Sequence, residues 1–376
     1  MIVAYATIVA MWPVLLTIIL SAEPSGAIAY TAVSQTEQCV YVLDLASGET
    51  TRIGTGKGDG APRWSPDGSR LAFETRTDKG TAIYVVRADG SEGRLIDHAQ
   101  AVNQSPRWSP DGRNIAYATG AVPTQRIAVF DLETNTETLW GSEQSGLMRP
   151  VWISGTGLLD RLISTEAPVG RSIAQLFIDR PSDAEGLLAI GFTGGAKNRS
   201  TDLFVVTPDE TLPFPAWALP SQGTYAEWAV EPARRNRGMA FESNDGGDRE
   251  VFVLTSEGVY DVSNHRAADW NPVWSPDAKW VAFESFRSGR RGIYRVHRGT
   301  NRVFPIAVSN DADNWSPDWS PDGQWLIFVS NRRGPESLYL TDYQGDQPPE
   351  RFVIEGSPAC LAPAWRPRTR SKAARP

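Results

Sequence analysis

Four polar residues share one spacing: Asp59, Asn103, Asp269 and Asn314 each stand five places before a tryptophan. The residues after them are Gly60, Gln104, Trp270 and Trp315, and His98, His265 and Asn310 lie four or five places earlier. Carboxylate and carboxamide groups orient a polar ligand, and indoles supply contact area. Together they suit a peptide or another polar ligand. Asp and Asn also cap loop backbones through local hydrogen bonds, and that alternative stays open. A metal centre would need His98, His265 and a carboxylate such as Asp311 or Asp313 to meet within ~2–2.6 Å of one ion. Asn310–Asn314 lacks the glycine and the distal glutamate of a calcium loop. Gly54–Gly60 has no Ser or Thr after Lys57, so it is not a phosphate-binding loop. The expectation is no metal, no cofactor and no catalytic residue.

These residues need elements to position them. The chain has 376 residues, 41% of them hydrophobic and 22% charged, enough for a packed core. Its net charge of −7 does not favour nucleic acid as a partner. With 33 Gly, 27 Pro and 14 Trp, it reads as many short strands and tight turns. Arg63-Trp64-Ser65-Pro66-Asp67-Gly68 recurs around Trp108, Trp274 and Trp319, with weaker copies at Trp152, Trp228 and Trp365. A period of about 45 residues signals a repeat of four short strands, the blade of a propeller. In each unit a strand ends at the Trp and Ser-Pro-Asp-Gly turns the chain. Apolar strands follow, such as Leu71-Ala72-Phe73 and Ile83-Tyr84-Val85-Val86. The Trp reads as an inter-blade packing residue.

The expected architecture is all-β: one propeller of four-stranded blades over residues 25–367. The segment around Trp365 completes the blade begun by residues 27–43, which removes open sheet edges. Seven blades are favoured. The interval from Trp152 to Trp228 is about 30 residues longer than the others, which leaves either an inserted hairpin at 159–179 or an eighth blade. Residues 2–20 carry no charge and read as a secretory signal or a membrane anchor within 1–24. Residues 368–376 form a basic, solvated tail. Cys39 and Cys360 fall in the shared blade and are a candidate disulfide for an exported protein.

The Trp-Ser-Pro-Asp-Gly repeat, together with the run Phe328-Val329-Ser330-Asn331-Arg332-Arg333-Gly334-Pro335-Glu336-Ser337-Leu338-Tyr339, resembles the TolB-type propeller of periplasmic and secreted bacterial proteins. The resemblance spans residues 27–367 and implies fold more than function. TolB itself has an α/β domain before its propeller, and only a few residues separate the apolar segment from the first strand here. Related peptidases carry a separate hydrolase domain, and Gly-x-Ser-x-Gly does not occur in this sequence. The expectation is therefore an exported, monomeric scaffold of the cell envelope, periplasmic or secreted. It would bind a protein or peptide through channel-mouth loops. The other reading is a lyase or hydrolase with an acid/base or metal site in the channel.

Overall fold

The computed structural model describes residues 23–97, 102–121, 124–140, 146–154, 185–193, 200–206, 208, 211–213, 223–228, 238–243, 248–255, 258–346, 348–352 and 359–368. Within them the strands form seven antiparallel four-stranded sheets, and no regular element is a helix. Among the described residues no helix is long and apolar enough to cross a membrane. The apolar segment 2–20, the hairpin expected at 159–179 and most of the tail lie outside the described residues.

The sheets are numbered here by their innermost strands, in chain order. Sheet 1 holds Ala359–Trp365, Ala27–Val33, Gln38–Asp44 and Thr50–Arg52, in that order outward. The innermost strands of sheets 2 to 7 are Gly60–Trp64, Asn103–Trp108, Met148–Ser154, Gly223–Trp228, Asp269–Trp274 and Asn314–Trp319. Consecutive innermost strands touch, and that of sheet 7 touches Ala359–Trp365. The two ends of the chain pair directly, Ile28 opposite Trp365 and Ala29 opposite Ala364.

Strands two and three of sheets 6 and 7 are buried on both faces. Trp280–Ser285 and Trp325–Ser330 have five of their six residues buried in succession. Such strands read as continuous apolar runs because neighbours cover both sides. The core is correspondingly split between sheets. One cluster joins Ala282 and Ile293 of sheet 6 to Trp319 and Phe328 of sheet 7. Another joins Ile28 and Tyr30 of sheet 1 to Ile327 and Leu338 of sheet 7.

The repeated tryptophan does more than pack. Trp108 Nε1 donates to the Arg63 carbonyl (3.0 Å), Trp152 to Arg107 (3.1 Å), Trp319 to Val273 (3.1 Å) and Trp64 to Ala364 (2.9 Å). In every case the acceptor is the residue just before the tryptophan of the neighbouring sheet. Each unit therefore offers a donor to one side and an acceptor to the other. Trp365 departs from the pattern and donates to Ser25 (3.1 Å), while the Trp274 indole N–H is buried with no partner among the described residues.

The turn behind Trp64, Trp108, Trp274 and Trp319 is also uniform. Ser65 Oγ donates to Asp67 Oδ1 (2.6 Å) and accepts the Arg70 N–H (2.9 Å), and the Gly68 N–H closes the turn on the Ser65 carbonyl (2.8 Å). The same bonds recur at Ser109, Ser275 and Ser320. The fourth turn residue needs a left-handed backbone, with φ of 67°, 74° and 70° at Gly68, Gly112 and Gly323. Ala278 adopts the same conformation at 54°.

The disulfide expected between Cys39 and Cys360 is corrected. Neither cysteine is bridged, and both are buried. Ala32 pairs with Cys39 on one side and with Cys360 on the other. Two inter-strand spacings put their Cα atoms about 10 Å apart, beyond the ~7 Å a bridge tolerates. Burial pushes the Cys39 thiol up to about 11.

Two outcomes follow. Trp108→Phe keeps the ring and loses the bond to Arg63, so urea unfolding should show a loss of about 1–2 kcal/mol. Unchanged stability would mean that the bond is not coupled to folding. Thiol titration of the unfolded, unreduced protein should find both cysteines reactive, and finding neither would contradict the strand order of sheet 1.

Candidate functional site

The loops that enter the innermost strands lie on one face, where they meet the hairpins joining strands two and three. Backbone bonds tie the two sets: Phe286 N–H to Ala268, Arg76 N–H to Lys57 and Gly120 N–H to Val102. The Ser-Pro-Asp-Gly turns lie at the opposite ends of these strands. There they bond to the turns between strands three and four, as in Ala88 N–H to Ser69 and Tyr343 N–H to Gln324. On that second face a half-open cavity of about 290 Å³ is lined by Ser25, Gly26, Pro321, Asp322, Arg366, Pro367 and Arg368.

A bulge sets the geometry of the first face. Residues three places before the tryptophan have positive φ: Ala61 (51°), Ser105 (58°), Arg149 (49°), Asn271 (54°), Ser316 (51°) and Ala362 (48°). At Ser105, Asn271 and Ser316, for example, the ladder skips a register. A proline follows each of the six (Pro62, Pro106, Pro150, Pro272, Pro317 and Pro363) where the ladder asks for no donor. The bulge takes the amide before it out of the ladder and aims it at the neighbouring sheet. Ser105 N–H donates to Glu74 Oε1 (2.8 Å), Asn271 N–H to Glu242 Oε1 (2.7 Å) and Ser316 N–H to Glu284 Oε1 (2.8 Å). Each carboxylate sits on the second strand of the preceding sheet, one place after Phe73, Phe241 or Phe283. Glu284 is fully buried and Glu242 nearly so. Burial raises Glu74, and it raises Glu242 to about 7 despite the partly exposed Arg249 guanidinium beside it. The sequence reading missed both signals, the proline two places before the tryptophan and the glutamate after the phenylalanine.

The structure separates the residues singled out from the sequence. Asp59, Asn103, Asp269 and Asn314 have no exposed surface. Asp59 accepts the Thr55 hydroxyl (2.7 Å) and the Gly56 N–H (2.8 Å), and Asn103 accepts the Thr119 hydroxyl (2.6 Å). Asp269 pairs with Arg287 (2.7 Å), and Asn314 Oδ1 accepts from Arg332 (2.6 Å). Asp59 thus ties its own loop, Asn103 ties inner to second strand, Asp269 and Asn314 hold hairpin to inner strand, and none offers a ligand any surface. The matching signal is Phe283-x-Ser285-x-Arg287, repeated as Phe328-x-Ser330-x-Arg332. In both, the Arg Nε donates to the serine hydroxyl (2.9 and 3.1 Å) and the guanidinium stacks on two rings. His98 lies outside the described residues. His265 is exposed and ties its own loop, its N–H donating to Glu250 (3.0 Å) and its Nδ1 accepting from Ala267 (3.0 Å). Asp311 is exposed and held low by the Ser309 hydroxyl, and Asp313 accepts the Arg291 N–H (3.2 Å). Among the described residues, no three His, Cys, Asp or Glu side chains are grouped to hold a metal.

Gln104, Trp270 and Trp315 remain partly open. The two indoles share one cation. Arg291 lies over Trp270 (5.4 Å) and over Trp315 (5.5 Å), and its Nε bonds the buried Glu284. Trp270 also packs on Phe286 (ring centroids 5.0 Å), which is 46% exposed. The result is a four-member stack, Phe286–Trp270–Arg291–Trp315, bridging sheets 6 and 7 on the first face.

A sequence profile described as the TolB beta propeller domain matches residues 7–157. The Tol-Pal system protein TolB of Desulfosudis oleivorans is 29% identical over 66 residues, 17% of this chain and 15% of that protein. Among solved structures, TolB from Acinetobacter baumannii aligns with a TM-score of 0.56 at 15% identity, over 91% of this chain and 67% of that one. The beta-propeller domain of the Trilobed protease from Pyrococcus furiosus aligns at 0.60 and 12% identity, over 88% and 95%. Pyrococcus horikoshii acylaminoacyl peptidase aligns at 0.58 and 14%, over 87% and 50%. Such identities establish the β-propeller fold.

Glu242 gives this site a pH signature. A carboxyl raised from its ordinary 4.5 to about 7 binds more protons folded than unfolded. Its contribution is fully present below about pH 4.5 and is lost as pH rises through 7. Relative to Glu242→Gln, the native protein should lose up to about 3 kcal/mol between pH 5 and 8. Parallel stability profiles for the two proteins would remove the burial argument.

Proposed function

We propose that this chain, which carries TolB beta propeller repeats, is a closed seven-bladed, monomeric scaffold that binds a protein or peptide in the cell envelope through its channel mouth. Its seven sheets would be the blades, with sheet 1 closing the ring. The carrying observation is the stack of Phe286, Trp270, Arg291 and Trp315, a partly exposed aromatic surface with a fixed cation at its centre. Interfaces concentrate their affinity in such Trp and Arg anchors. The buried Asp59, Asn103, Asp269 and Asn314 then act at one remove by fixing the loops that carry the contacts. Gln104 extends the surface around the rim. Export is supported by the uncharged run at residues 2–20. The family profile and the Tol-Pal system protein among the similar sequences agree with an envelope role.

A photo-crosslinking residue placed at 286 should form adducts with envelope proteins in cells. The same residue at 139, on the outer strand of sheet 3, should not. Replacing Trp270 and Trp315 with Ala should abolish the adducts at 286 while the near-ultraviolet dichroism of the propeller persists. Equal labelling at both positions, or adducts that survive the double substitution, would remove the mouth from consideration.

A further inference from the structure

The stack makes a specific demand on its partner. Arg291 is held flat between two indoles, and its Nε edge is committed to Glu284. Among the described residues its Nη edge has no hydrogen-bond partner, and the side chain is 31% exposed. A guanidinium fixed in this way is a two-pronged donor with its ordering entropy already spent, and a carboxylate fits its fork. We infer that the mouth between sheets 6 and 7 reads an acidic peptide segment, one carboxylate on Arg291 and a neighbouring large apolar side chain on Phe286. This rests on the binding role proposed above and names the chemistry of its partner.

Two further observations point the same way. Among the described residues the exposed large hydrophobics are Leu95, Leu139, Tyr260, Phe286 and Val308. The first three lie on outermost strands, whereas Phe286 and Val308 both lie on the mouth face of sheet 6. The second observation is charge. Buried Asp269 and Glu284 neutralise Arg287 and Arg291. The exposed charges around them are Arg266, Arg290 and Arg333 against Asp311, with Glu250 buried and Asp261 half-buried against the loop that enters sheet 6, in a chain of net charge −7. The sector thus runs against the sign of the molecule, which favours a negative partner and disfavours a basic one. Stacking of nucleobases is the competing use of two tryptophans. Here Arg291 fills the space between the indoles, so a base has no slot there.

The test uses the full chain, expressed with its N-terminal segment, and three labelled peptides read by fluorescence anisotropy. Their sequences are Gly-Glu-Glu-Phe-Glu-Glu-Gly, the same with Gln for Glu, and the same with Lys for Glu. A labelled octathymidylate is the fourth probe. The Glu peptide should bind at least tenfold tighter than the Gln peptide, and its affinity should fall with added salt. Arg291→Lys keeps a cation beside Glu284 but loses the fork, and should cost the Glu peptide about tenfold while leaving the Gln peptide unchanged. Leu139→Ser, on an outer strand, should change nothing. Equal binding of Glu and Gln peptides, or tighter binding of the Lys peptide or the oligonucleotide, overturns the acidic reading. So does the absence of Glu-peptide binding by a chain that still crosslinks at 286, and in that case the scaffold role stands. Loss of both signals removes both.

Discussion

Everything in this molecule depends on how one sheet is fixed to the next, and a single side chain carries most of that task. The indole of the repeated tryptophan buries a large apolar surface between sheets and spends its one N–H on the neighbour's backbone. At four boundaries the acceptor is the carbonyl just before the neighbour's own tryptophan, so one rule serves all four. It also fixes register. A sheet that slid by one residue would present a carbonyl pointing the other way. Two boundaries depart from it: Trp365 donates to Ser25, and between sheets 5 and 6 Trp274 has no acceptor among the described residues. There the Glu242 carboxylate, bonded to the Asn271 amide, ties the two sheets.

That second tie links architecture to the mouth. The left-handed bulge, the proline after it and the buried glutamate form one device repeated at several boundaries. Its cost is a non-glycine residue at positive φ, roughly 1–2 kcal/mol each, and a carboxylate withdrawn from water. In exchange the strand entry is re-aimed, and the residue before the bulge stays partly open at the rim. At Trp270 and Trp315 this brings two indoles onto one guanidinium. The same Glu284 accepts the bulge amide of sheet 7 and binds Arg291. The rigidity of the scaffold and the orientation of the exposed cation are thus consequences of one buried carboxylate.

Much of the fold was legible because the motif leaves few alternatives. Trp followed by Ser-Pro-Asp-Gly specifies a strand end and a turn whose fourth residue needs a left-handed backbone, and its recurrence specifies tandem units. The site was less legible. Asp59 and Asn314 look like ligand groups in one dimension, but a hydroxyl of its own loop claims Asp59 and an arginine from the hairpin claims Asn314. A carboxylate's role depends on neighbours that tertiary packing supplies. The cysteines failed for a related reason. Membership of one sheet was readable, but Ala32 lying between them required the order of strands. The bulge left only an indirect trace, since Ala61 and Ala362 carry no preference for positive φ.

The placement of every mouth contact assumes that the sheets meet around a common axis, with Ala27–Val33 enclosed between Gln38–Asp44 and Ala359–Trp365. Site-resolved amide hydrogen exchange across Ala27–Val33 is the most direct test. An enclosed strand has both rows of its backbone groups bonded, so every amide should exchange as slowly as those of Trp325–Ser330. A strand left at an open edge would show alternate amides exchanging rapidly, and that pattern would contradict the account.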